Sequence, residues 1–189
     1  MNHIFTLANK NRSAITIKQL NLFHDQYVLD LGCGNGCLLS DMLVTLPDCF
    51  AVGVDLSKTM ASLVQKNNLN RAPISQIKAV LANWVYLPFS DNSFDRAIAS
   101  NIIYFWEYAD TVLSEVHRVL KPGGKLTIMF QPVEGGNKHE FLRYGYQIFS
   151  QKEVKQLLED NGFQPMTTVI KTERKKNQSW EIIWITSMT

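Results

Sequence analysis

The residues best suited to chemistry lie in one short stretch, where three glycines alternate with other residues behind an aspartate. The stretch reads Asp-Leu-Gly-Cys-Gly-Asn-Gly and covers residues 30–36. Glycines at alternate positions let the backbone pass close beneath a ligand, and we expect amide N–H groups at the start of the following helix to be free to bind it. Asp55 ends the next predicted strand, where its carboxylate either accepts hydrogen bonds from ribose hydroxyls or caps a turn.

The charge of Asp30 indicates which ligand this loop binds. A dinucleotide would place its anionic pyrophosphate here, and the Asp30 carboxylate would repel it. A ligand with a cationic amine would be attracted instead, which favours S-adenosylmethionine and methyl transfer. A nicotinamide-dependent oxidoreductase is further disfavoured because Cys37 stands where the dinucleotide fingerprint requires its last glycine.

The elements that position these residues alternate between strand and helix patterns. This alternation predicts an α/β fold: a doubly wound, seven-stranded, mostly parallel sheet with helices on both faces. Strands are predicted at 27–29, 50–54, 77–81, 94–100, 125–130, 167–170 and 180–186. The polar segment before the last strand suits a hairpin, so the C-terminal strand is predicted to be antiparallel. Length and the lack of a linker predict a single domain over residues 1–189.

Together these segments resemble a known family, the Rossmann-like (class I) S-adenosylmethionine-dependent methyltransferases, in particular their small-molecule (type 11-like) branch. The matching segments are 28–36, 53–57, 87–89, 93–95 and 118–125. The ordered set is more specific than the glycine loop alone. The resemblance runs from about residue 20 to the C-terminus.

The resemblance implies a cofactor site at defined positions. The loop lines the methionine end, Asp55 binds the ribose, Leu56 and Met60 contact the adenine, and Asn83 stands where many relatives carry an aspartate. The expected cofactor-binding residues are Asp30, Gly32, Cys33, Gly34, Asn35, Gly36, Asp55, Leu56, Met60, Asn83, Trp84 and Ser100.

Catalytic residues are harder to predict, because methyl transfer from a sulfonium is an in-line displacement that depends mainly on alignment. A base is needed only where the acceptor begins protonated. The candidates are Asn101, Tyr104 and His139. Tyr104, Trp106, Tyr144 and Tyr146 are expected to bind substrate or to wall its pocket. Residues 1–20 are expected to form a lid or helix, and residues 131–149 a substrate-side loop.

Composition limits the partners. A net charge of +2 gives no reason to expect nucleic acid. No apolar stretch is long enough to span a membrane, and a cytoplasmic protein without a metal site is expected. We expect a small-molecule methyl acceptor. A catalytically silent scaffold that binds S-adenosylmethionine, and a protein or RNA methyltransferase, remain alternatives.

Overall fold

A computed structural model describes residues 2–68, 76–132, 145–175 and 178–189. The helices are α1 (Asn2–Leu20), α2 (Cys37–Thr45), α3 (Lys58–Asn68), α4 (Ala109–Val119) and α5 (Gln151–Asp160), with a 3-10 turn at Ile103–Phe105. The strands are β1 (Tyr27–Leu31), β2 (Phe50–Asp55), β3 (Ile77–Leu81), β4 (Phe94–Ser100), β5 (Leu120–Phe130), β6 (Gln164–Lys175) and β7 (Gln178–Met188).

In the described residues, seven strands form one sheet in the order β3-β2-β1-β4-β5-β7-β6. Strands β1 to β5 pair in parallel, and β7 pairs antiparallel with both β5 and β6. The chain begins its sheet at β1, moves outward to β3 and returns to β4 on the other side of β1. The crevice at the carboxyl ends of β1 and β4 is therefore the topological switch point, where ligands bind in open α/β sheets. The predicted fold class is confirmed.

Consecutive residues of β1 pack on opposite faces of the sheet. Val28 belongs to a buried cluster with Leu39 of α2, whereas Leu29 belongs to another with Val116 of α4. Both faces are thus covered by helices, as expected for a parallel sheet in an α/β protein.

Two predicted boundaries need correction. The fifth strand, predicted to begin at residue 125, begins at Leu120 and contains an irregularity: Phe94 pairs with Leu120 but Arg96 already pairs with Lys125. The final hairpin is longer than predicted, because its polar residues continue the ladder from Thr172–Glu181 to Lys175–Gln178. Polar side chains are compatible with pairing at a sheet edge, where they face water.

Helix α1 packs over β5 and β7, and its C-terminal part is held by hydrogen bonds from the sheet. The indole Nε1 of Trp184 donates a hydrogen bond to the buried Thr16 hydroxyl (2.9 Å). The guanidinium of the buried Arg96 donates to the carbonyls of Leu20 (2.8 Å) and Asn21 (3.3 Å), at the C-terminal end of the helix. These bonds satisfy carbonyls that have no partner within the helix itself.

Arg118 fixes the loop that follows β3. Its guanidinium donates to the carbonyls of Leu87 (3.0 Å) and Phe89 (2.8 Å) and to the Glu115 carboxylate (2.8 Å). Glu115 in turn accepts the backbone N–H of Leu87 at 2.8 Å. The motif around Arg118 is thus structural: it holds the chain that leads from the cofactor side of the sheet into β4.

We predict that Arg118→Lys lowers the free energy of unfolding by about 2 kcal/mol, because an ammonium cannot reproduce the planar set of charge-assisted hydrogen bonds. Chemical denaturation would measure this, with Arg174→Lys as the control at an exposed position on β6. Equal unfolding midpoints for the two variants would contradict the role of Arg118.

Candidate cofactor site

A cavity of about 220 Å³ opens at the carboxyl ends of the central strands. Its lining residues come from α1, from β1 and the loop that follows it, from the start of α2 and from the ends of β4 and β5. They are Arg12, Ser13, Thr16, Asp30, Gly32, Cys33, Asn35, Cys37, Leu38, Ser100, Asn101 and Met129. The cavity therefore lies at the switch point of the sheet.

The glycine loop has the backbone conformation that its sequence predicts. Gly32, Gly34 and Gly36 have φ angles of +67°, +53° and +76°, a region that other residues rarely adopt. A Cβ on Gly32 would lie 2.5 Å from the side chain of Ile102, whereas a Cβ on Gly34 would have no neighbour within 4 Å. Gly32 is thus required by packing, and Gly34 faces open space.

The loop amides are not free, contrary to our expectation from the sequence. Gly32 and Cys33 donate to the Val54 carbonyl (2.8 and 3.1 Å), and Gly34 donates to Asp55 Oδ2 (2.9 Å). Gly36 donates to the Cys33 carbonyl (3.0 Å) and Cys37 to Asn35 Oδ1 (3.2 Å). These bonds depend on how the loop lies against β2, which the spacing of glycines does not specify.

Asp55 connects two segments of the site. Its Oδ2 accepts the Gly34 N–H, and its Oδ1 accepts the Ser57 N–H at 2.8 Å. Each carboxylate oxygen retains capacity for a further hydrogen bond. Three apolar side chains beside it are exposed, namely Leu56 (52%), Met60 (37%) and Leu81 (55%). A half-exposed carboxylate next to an uncovered apolar surface suits a sugar joined to a flat apolar ring.

Asp30 is the most unusual residue of the cavity. It is 2% exposed, and its Oδ1 has no hydrogen-bond partner among the described residues. Burial, with a contribution from the nearby Asp55 charge, raises the pKa of Asp30 to about 8. Burial and the same two carboxylates also raise the pKa of Cys33, so its thiol stays protonated. A cationic ligand group would stabilise the ionised form of Asp30.

The end of β4 contributes Ser100 and Asn101. Asn101 has a φ of +55°, is exposed, and donates its backbone N–H to the Met129 carbonyl at 2.8 Å. Left-handed backbone at a residue other than glycine is held in place by its surroundings and is frequent at binding sites. Both residues line the cavity.

Tyr104 acts as an anchor in this structure. Its hydroxyl is hydrogen-bonded to the backbone N–H of Gln131, and it donates to the carbonyl of the same residue at 3.3 Å. Burial raises the pKa of Tyr104 to about 12. The phenol is therefore neutral near pH 7 and fixes the chain where it leaves β5.

Several predicted residues are not among the described lining residues of the cavity, namely Gly34, Gly36, Asp55, Leu56, Met60, Asn83, Trp84, Tyr104, Trp106 and Tyr146. Trp84 and Trp106 are buried in the core, at 7% and 1% exposure. Asn83 is exposed, and its Oδ1 accepts the Val85 N–H at 3.1 Å. The Tyr146 ring packs edge-on against Phe105. His139 and Tyr144 lie outside the described residues.

Sequence reasoning predicted a lid or helix over residues 1–20 but named none of its residues as part of the site. Arg12, Ser13 and Thr16 line the cavity, as does Met129 at the end of β5. These residues belong to no recognisable motif. Their position follows from the docking of α1 on β7, which depends on contacts far apart in the sequence.

A family model described as a methyltransferase domain matches residues 29–128, which is 100 of the 189 residues. The chain belongs to this family. The sequence-based prediction of a class I, S-adenosylmethionine-dependent methyltransferase is confirmed.

Two curated proteins are similar to this methyltransferase over most of its length. An O-methyltransferase, rstn1, of Aspergillus nomiae is 29% identical over 153 residues, covering 77% of this chain and 68% of that protein. A ubiquinone/menaquinone biosynthesis C-methyltransferase of Wigglesworthia glossinidia brevipalpis is 34% identical over 129 residues, covering 67% of this chain and 50% of that protein. The chain thus spans about half of the second relative.

Among solved structures, the [4+2]-cyclase SpnF shares the fold with a TM-score of 0.82 and 16% identity, over 95% of this chain and 80% of that one. Such a likeness concerns the fold alone, and it extends to α1 and the final hairpin. No helix in the described part of the methyltransferase combines the length and apolar character of a membrane span.

The pKa of Asp30 gives a test of its burial. The folded state retains a proton that the unfolded state releases above pH 3.8, so stability falls as the pH rises from about 4 to about 8. We predict that Asp30→Asn, which cannot ionise, gains stability relative to the wild type by about 1.4 kcal/mol per pH unit within this window. Denaturation at pH 5, 6 and 7 without ligand would measure the difference. A difference that does not change with pH would count against a buried, protonated Asp30.

Proposed function

We propose that this methyltransferase transfers the methyl group of S-adenosylmethionine to a small organic acceptor at the switch-point cavity. The buried Asp30 oxygen without a partner carries the proposal, because the amine of the cofactor supplies the missing cation. The open space above Gly34 supports it, since the backbone there leaves room for a ligand. The named activities of the two curated relatives favour a small acceptor, one of them being an enzyme of quinone biosynthesis.

In this proposal several of the predicted cofactor residues have a physical role. Asp30 binds the amine, and Asp55 accepts from the ribose hydroxyls while it holds Gly34. Leu56 and Met60 provide the exposed apolar surface for the adenine. The side-chain carbonyl of Asn83 accepts a hydrogen bond from its own loop. To bind the adenine ring, Asn83 can therefore use the second lone pair of this oxygen or its amide N–H groups.

The chemistry requires alignment more than proton transfer. When bound, the cofactor supplies an activated methyl group. The chain holds the reacting groups in line, through the rigid end of β4 at Ser100 and Asn101, and good alignment contributes about 7–11 kcal/mol. Tyr104 serves as a neutral wall and anchor and not as a base, because its pKa is about 12.

The acceptor side consists of α1, the Phe105–Tyr146 pair and the segment 131–149. Phe105 is 50% exposed, and its ring contacts Tyr146 with centroids 5.0 Å apart. Two partly exposed aromatic rings favour an acceptor with an apolar or aromatic body.

The deciding experiment uses S-adenosylmethionine with an isotopically labelled methyl group and a pool of small metabolites. We expect label in a low-molecular-weight product. Binding of the cofactor without label transfer to any small molecule would favour a silent scaffold, and transfer only to protein or RNA would favour a macromolecular acceptor.

We predict that Asp55→Ala raises the dissociation constant for S-adenosylmethionine by about 100-fold or more, because ribose contacts to a charged acceptor are lost. Stability also falls, since the N–H groups of Gly34 and Ser57 lose their acceptor. Calorimetric titration measures the affinity, with Asp41→Ala on α2 as the control, a residue not among the described lining residues. Unchanged affinity in Asp55→Ala would contradict the proposal that Asp55 binds the ribose hydroxyls.

We predict that Gly34→Val abolishes cofactor binding because its side chain occupies the space above the loop. Gly123→Val is the matched control: Gly123 also has a positive φ (+75°) and open space around its Cβ, but it lies in the irregular start of β5 and is not among the described lining residues of the cavity. Both variants should lose about 1–2 kcal/mol of stability from backbone strain. Only Gly34→Val should lose binding in the titration, and equal affinities in the two variants would contradict the proposal.

A further inference from the structure

The wall of the cavity pairs a permanent cation with a carboxyl group that a bound cation would ionise. Among its described lining residues, Arg12 is the only cation and Asp30 the only carboxyl group. Such a pair is complementary to a zwitterion, whose amine stabilises the ionised form of Asp30 and whose carboxylate binds the arginine, and the amino-acid end of S-adenosylmethionine is a zwitterion.

The glycine loop has few donors to offer to the carboxylate of that zwitterion. The N–H groups of Gly32, Cys33, Gly34, Gly36 and Cys37 are already hydrogen-bonded within the protein. Redirecting any of them would leave a carbonyl or carboxylate of the loop without its partner. Among the described lining residues, Arg12 is the only cationic donor that could bind the carboxylate of the ligand.

Arg12 is oriented by an ion pair across the structure. Its Nε donates to Glu173 Oε1 (3.0 Å) and its Nη2 to Glu173 Oε2 (2.6 Å). The two side chains are 19% and 11% exposed, and the hydrogen bonds from Arg12 lower the pKa of Glu173. This pair uses one edge of the guanidinium. The other edge, formed by Nη1 and the second Nη2 hydrogen, has no recorded acceptor in the described residues and can bind a second carboxylate in bidentate fashion.

We propose that Arg12 binds the carboxylate at the amino-acid end of the cofactor, and that Glu173 on β6 is the positioning residue that orients Arg12. The inference rests on the proposed function, since it takes the amine to be held by Asp30. Both residues lie outside the segment 29–128 that the family model matches. Part of the cofactor site is thus built from the first helix and the edge strand.

The test compares two ligands by calorimetric titration: S-adenosylhomocysteine and its decarboxylated analogue, in which hydrogen replaces the carboxylate. The wild type should bind S-adenosylhomocysteine about 10- to 100-fold more tightly, as expected for charge-assisted hydrogen bonds. Arg12→Gln should reduce this preference to about onefold, mainly by lowering the affinity for S-adenosylhomocysteine. Affinity for the analogue should change little.

The role of Glu173 is tested by the same ratio of affinities, that for S-adenosylhomocysteine over that for its decarboxylated analogue. Glu173→Gln should retain part of the preference, because the cation remains but its orientation is less fixed. Arg12→Gln leaves the Glu173 carboxylate without its partner, so the double variant Arg12→Gln/Glu173→Gln, which removes both charges, repeats the measurement if Arg12→Gln proves too unstable to titrate. Arg174→Gln is the matched control: it neighbours Glu173 on β6 but is exposed and on the opposite face of the strand. It should keep the wild-type ratio.

The outcomes separate the two proposals. A wild-type protein that binds both ligands with equal affinity, or an Arg12→Gln or double variant that keeps the full preference, would overturn the role of Arg12. A full preference in Glu173→Gln would overturn the positioning role. A wild-type protein that binds neither ligand would instead remove the proposed function, and with it the basis of this inference.

Discussion

The parallel pairing of β1 with both β2 and β4 is the constraint on which the site depends. Leu31 lies opposite Val54 on one side and Ala99 on the other, so the strands β1, β2 and β4 end at the same level of the sheet. The glycine loop, Asp55 and Asn101 follow directly from these strand ends. A shift of register would separate groups that are remote in sequence, and the buried sheet resists such a shift because both faces carry apolar side chains.

Residues that follow the strands were predictable from the sequence, and the residues that wall the cavity were not. Apolar runs, glycines and Asp55 meet needs of the local backbone, so the positions of the strands along the chain and the position of the loop could be predicted from them. The pairing of loop amides with Val54 and Asp55 depends on tertiary register. The presence of Arg12 in the wall depends on helix docking, and the burial of Trp106 depends on which side of the chain meets the core. The extent of the last hairpin was underestimated because polar edge residues resemble a loop in composition.

The glycine loop is held by contacts within the segment that the family model matches. Asp55 holds Gly34 and the residue before α3 together, while Gly32 is packed against Ile102. Asp30 is buried beside these contacts, and its Oδ1 has no partner among the described residues, an arrangement that disfavours its ionised form in the absence of a cation. The α1 residues that line the cavity, in contrast, lie outside the matched segment. The cavity thus combines a part that carries the family's sequence pattern with a part that the pattern does not specify.

The docking of α1 has a consequence for the order of assembly during protein synthesis. Thr16 is bound by Trp184, and Arg12 by Glu173, so α1 is held by residues that follow it by 168 and 161 positions. A nascent chain that has reached only β5 can pair its five parallel strands and can bind the end of α1 through Arg96, but it has no β6 or β7 to bind Arg12 and Thr16. The α1 part of the cavity wall thus gains these two contacts only after the hairpin of β6 and β7 has been synthesised.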